Sequence, residues 1–182
     1  PETASRSRLE AVVLGADRVV GALCAIDAAL AVTLLAAILL LLLAELFSRN
    51  VLSRSLTGSW EAAAFMLGAM FFLGLAPAMR AGTHVRVTML SEALSGRLAQ
   101  LAEAAVTTIG LAASLFGTYA LLSLGLTTLA RGTMTWETGL PLGVPQLVLA
   151  AGMGLLALAL ASRLARVLVL GGPGDNSRTD AA

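Results

Sequence analysis

The chain has 182 residues, of which 58% are hydrophobic and 13% charged, about half the charged share of a typical soluble domain. Its basic residues are twelve arginines without a lysine, and a net charge of +1 leaves no basic surface large enough for a nucleic acid. With one cysteine and one histidine, an intrachain disulfide, a thiolate zinc or iron–sulfur centre and a bis-histidine haem are excluded, and no cofactor or metal is expected.

The opening PETASRSRLE runs into a long periodic segment rather than a short apolar core with a small-residue cleavage site, so it is not expected to be a secretory signal. Leu9, Val12, Val13, Ala16, Val19, Val20, Leu23 and Ile26 recur every three or four positions, with Glu10, Asp17 and Arg18 off that stripe. This predicts an amphipathic helix lying on the membrane within residues 1–27. Ala28 to Phe47, 20 residues, then matches the roughly 30 Å hydrocarbon core at a rise of about 1.5 Å per residue. A single helix from Val19 to Phe47 would be too long for that core and would bury Asp27, so the two segments are separated here. Carboxylates inside hydrocarbon are functional candidates, but Asp27 and Glu45 sit near the span's ends, where pairing or interface placement is expected.

Trp60 to Met79 is a second span of 20 residues with one charge, Glu61, at its start. Ser59 is a candidate cap, Glu61 suits the positive end of the helix dipole, and Trp60 suits the headgroup level. Arg80 suits the negative end, its stem snorkelling outward. Across a straight helix, 19 residues hold Glu61 and Arg80 about 28 Å apart, so their partners lie elsewhere. A helix-terminal role and an intersubunit hydrogen bond are open to Glu61, and binding of an anionic headgroup to Arg80. Pro77 removes a hydrogen bond to the Leu73 carbonyl and predicts a kink. His84 lies in a short polar turn without a second histidine or nearby cysteine, so backbone, headgroup or partner contacts are expected of it rather than a metal.

Val87, Leu90, Leu94, Leu98 and Leu101 mark one face of a second interfacial helix over residues 86–101. Ala104 to Leu129 is a third span, long enough to tilt. Gly132, Gly139, Pro141, Gly143 and Pro145 break the next segment. Leu147 to Ala161 then forms the body of a fourth span over residues 145–164, and residues 171–182 read as a disordered polar tail. Ala113 with Gly117 and Ala150 with Gly154 would permit close helix approach. The fold class is thus all-α: a four-span membrane domain over residues 28–170, with amphipathic interfacial helices. Four spans place both termini on one side, together with nine arginines (6, 8, 18, 80, 86, 97, 163, 166 and 178). Only Arg49, Arg54 and Arg131 lie opposite, which assigns the termini to the cytoplasm.

One joint pattern is more specific than any of its parts. Arg49 ends span one, Ser59-Trp60-Glu61 opens span two, Gly68 lies inside it, and Arg80, Gly82 and His84 close it, with Leu140-Pro141 before the last span. This order resembles the small membrane subunit of the TRAP (tripartite ATP-independent periplasmic) transporters, the DctQ-like family. Asn50 departs from the aromatic that often follows the arginine, and neither Ser59 nor Ala62 supplies the second acid often found beside the glutamate. The resemblance implies a scaffold in the bacterial inner membrane, paired with a large permease subunit that carries the substrate and sodium sites. It also implies a periplasmic binding protein that delivers an organic acid. Arg49, Trp60, Glu61, Arg80 and His84 become the expected contacts to partner or lipid. The alternative is a membrane adaptor or sensor without a transport role. An enzyme is not expected, because no nucleophile, base and oxyanion group converge.

Overall fold

The structure is a computed structural model that describes residues 2–81 and 97–170, with side chains over 12–81 and 101–167. Gly82, His84, residues 86–96 of the second expected interfacial helix and the tail 171–182 lie outside the described residues. Among the described residues four helices follow in order: α1 (Glu2–Val51), α2 (Ser59–Arg80), α3 (Arg97–Ala130) and α4 (Gly143–Leu170). Each holds a stretch long and apolar enough to cross a membrane, so this is an all-α, multi-pass membrane protein.

The separation expected near Asp27 is absent: α1 is one helix through Val19, Asp27 and Phe47. Breaking a helix leaves four amide and four carbonyl groups without partners at each new pair of ends. Residues 19–47 contain one glycine, Gly21, and no proline to favour such a break. The face assignment also changes. Val12, Val19 and Ile26 of the apolar stripe point outward, whereas Val20 and Cys24 are buried with Ala76, Met79 and Ala159. Asp17, expected off the packed face, turns toward the bundle and meets Arg80.

The central element is α4, which packs against α1, α2 and α3, while among the described residues α3 packs against α4 alone. Small residues permit these approaches. A Cβ built on Gly152 would stand 2.7 Å from the Phe72 carbonyl carbon and oxygen, so the backbones of α2 and α4 meet there. Along α3, Gly110, Gly117 and Gly125 admit Leu160, Met153 and Leu147 of α4, and Ser114 is buried between them. Of the small-residue pairs, Ala150 is buried and Gly154 faces the Thr118 methyl group, but Ala113 points away from the bundle. Helix α2 continues through Pro77, whose carbonyl accepts the Ala81 amide at 2.9 Å.

Candidate functional site

Helices in hydrocarbon satisfy their own backbone groups, so polar side chains are free to act at the ends. At one end two glutamates hold two loops. Glu45, 3% exposed, accepts hydrogen bonds at Oε1 from Arg49 (3.0 Å) and Ser55 Oγ (2.7 Å), and at Oε2 from the Leu56 amide (2.7 Å). Ser48 adds a hydroxyl donated to the Arg54 carbonyl at 2.8 Å. The loop from Leu52 to Gly58 is therefore fastened back onto the last turns of α1.

Glu61 performs the corresponding task for residues 131–142. Its Oε2 accepts from the Glu137 amide (3.1 Å), the Thr138 amide (2.8 Å) and the Thr138 hydroxyl (2.9 Å). That segment is a compact hairpin closed by Thr135 N–H to the Leu140 carbonyl (2.9 Å) and Leu142 N–H to the Thr133 carbonyl (3.0 Å). Gly139 turns it at φ 65°, in the left-handed region where glycine is unstrained. The helix cap differs from expectation. Gly58, at φ 83°, precedes α2 without a side-chain cap, while the Ser59 hydroxyl is buried with no hydrogen-bond partner among the described residues. A Cβ on Gly58 would lie 2.8 Å from the Thr138 methyl carbon, so glycine also lets the hairpin approach.

At the opposite end, Asp17 is shared by two guanidinium groups. Arg80 reaches Oδ1 at 2.8 Å and Oδ2 at 3.3 Å, and Arg166 reaches Oδ2 at 3.1 Å. Arg163 pairs with Glu103 at 2.9 Å and points a second nitrogen at the Met79 sulfur, 3.9 Å away. These bonds tie the first part of α1 and the start of α3 to the ends of α2 and α4.

Of the residues expected from sequence, Glu61 and Arg80 are both engaged by their own chain. Arg49 pairs with Glu45 yet leaves over half its side chain exposed, and Trp60 is 62% exposed. Sequence reasoning missed Asp17, Glu103 and the hairpin amides as partners, because separations of 60 to 77 positions carry no local signal. Among the described residues no group of histidine, cysteine, aspartate and glutamate could hold a metal ion.

Residues 38–170 match the family described as tripartite ATP-independent periplasmic transporters, DctQ component. The chain belongs to this family. No curated protein and no solved structure matched it. DctQ proteins are transporter components rather than an enzyme family, so this chain is a small TRAP transporter membrane subunit, and membership implies association with a large permease and a periplasmic binding protein. The match covers the Glu45, Glu61, Arg80 and Arg163 clamps but not Asp17.

Proposed function

We propose that this DctQ subunit is a scaffold in the bacterial inner membrane, with both termini cytoplasmic. It fixes the large permease subunit during sodium-driven uptake of an organic acid delivered by the periplasmic binding protein. The observation that carries this reading is the placement of polar chemistry. Its ion pairs and glutamate clamps lie at the two ends of the bundle and its helices are unbroken, with Asp27 on continuous α1 the one carboxylate among the described residues set inward of them, whereas substrate sites in secondary transporters use broken helices near the midplane. Bundle ends fastened at both membrane faces resist tilting and suit a stationary partner. Arg49 and Trp60, the exposed members of the expected contact set, face the large subunit or its lipids; Glu61 and Arg80 hold the frame, and His84 adds a cytoplasmic contact.

Reconstitution tests the reading. Vesicles holding this chain alone take up no organic acid under a sodium gradient, while vesicles holding it with the large subunit and binding protein do. Uptake by the lone chain, or full uptake without it, overturns the scaffold role. Fusions to a periplasmic reporter are active at Glu137 and silent at residue 182; the reverse pattern inverts the orientation.

A further inference from the structure

We infer that the hairpin of residues 131–142 is a membrane-interface anchor, with Trp136 inserted at the headgroup layer beside Trp60. This concerns lipid contact and holds whatever the subunit transports.

The argument starts from height. Helix α2 has 22 residues, about 33 Å at the helical rise and therefore close to the hydrocarbon thickness. Its first turn, Ser59 to Glu61, thus marks the edge of the apolar layer. The hairpin does not project beyond that edge. The Glu137 and Thr138 amides both reach the Glu61 carboxylate, and Thr138 lies against Gly58. The tip is folded back onto the end of α2, and Trp136 is one residue from Glu137 as Trp60 is from Glu61. The chain's two tryptophans therefore stand at one level.

Side-chain direction supplies the second step. Thr135 is buried and donates or accepts within the hairpin at 2.6 Å from the Thr138 hydroxyl, while Met134 and Trp136 on either side are 65% and 100% exposed. Met134, at an isolated bridge to Pro141, and Trp136, in the turn that follows, thus both present their side chains outward on either side of an inward-facing Thr135. A fully exposed indole in water forfeits its large apolar surface. At the headgroup level it buries the ring in the acyl boundary and keeps its N–H near polar acceptors, the arrangement that enriches tryptophan there. Flanking Arg131 and Glu137 keep the rest of the hairpin polar, so it rests on the layer without crossing it.

The two tryptophans are themselves the probe. In phosphatidylcholine vesicles holding the full chain, Trp60→Phe leaves Trp136 as sole emitter and Trp136→Phe leaves Trp60. Emission from Trp136 is expected blue-shifted from that of indole in water. Phospholipids brominated near the glycerol end should quench it more than those brominated near the terminal methyl, as they do Trp60. Water-like emission quenched by iodide, or resistance to both quenchers, overturns the proposal, as does stronger quenching by the deep bromines.

Discussion

The Oε2 atom of Glu61 lies 2.8 Å from the Thr138 amide nitrogen and 2.9 Å from the Thr138 hydroxyl, 77 positions away. One carboxylate in the first turn of α2 thereby sets the position of the hairpin that leads into α4. A charged acceptor strengthens each of these bonds, and two of the donors are backbone amides with no other partner in the hairpin's ladder.

Replacing Glu61 by Ala removes the acceptor while leaving those donors in place, and the hairpin loosens. Trypsin cleavage after Arg131 in the detergent-solubilised protein accelerates. Glu61→Gln gives an intermediate rate, because its amide oxygen still accepts but without charge. Unchanged cleavage in the alanine variant contradicts the clamp.

Gly58→Ala meets two obstacles, a backbone at φ 83° and the Thr138 methyl group. The left-handed conformation alone costs about 1–2 kcal/mol for a residue with a Cβ. The thermal unfolding midpoint falls, and Thr138→Ser, which removes the methyl group, recovers only the steric part.

Asp17 and Arg80 form a bidentate contact that is largely shielded from solvent. A double-mutant cycle with Asp17→Asn and Arg80→Gln gives a coupling of about 1 kcal/mol, at the upper range of exposed pairs. The coupling shrinks in high salt. Additive effects show that the pair contributes nothing beyond its separate residues.

Gly152→Ala drives a Cβ to within 2.7 Å of the Phe72 backbone and destabilises the bundle by about 1–3 kcal/mol, the usual cost of overpacking. Gly74→Ala is the control. Nothing stands within 4 Å of its added carbon, so stability is unchanged or rises by up to about 1 kcal/mol from helix propensity. Equal losses at both positions contradict the close α2–α4 approach.

Composition and length by themselves determined that this chain spans a membrane, because 20-residue apolar runs such as Trp60 to Met79 have no alternative that satisfies their backbone in hydrocarbon. The linear order of Arg49, Trp60, Glu61 and Arg80 was enough to suggest the DctQ family, since each lies at a span boundary where polar residues are constrained. Which side chains meet was set by how the helices pack. Nothing local in sequence singles out Asp17 among the acidic residues as the one that binds Arg80 and Arg166. The choice follows from the rotation of α1 when Val20 and Cys24 pack against Ala76 and Met79. The continuity of α1 escaped sequence reasoning for a related reason. A span's length can be counted along the chain, but whether its helix ends there depends on contacts that carry it past the membrane edge, and here the ends of α2 and α4 provide them.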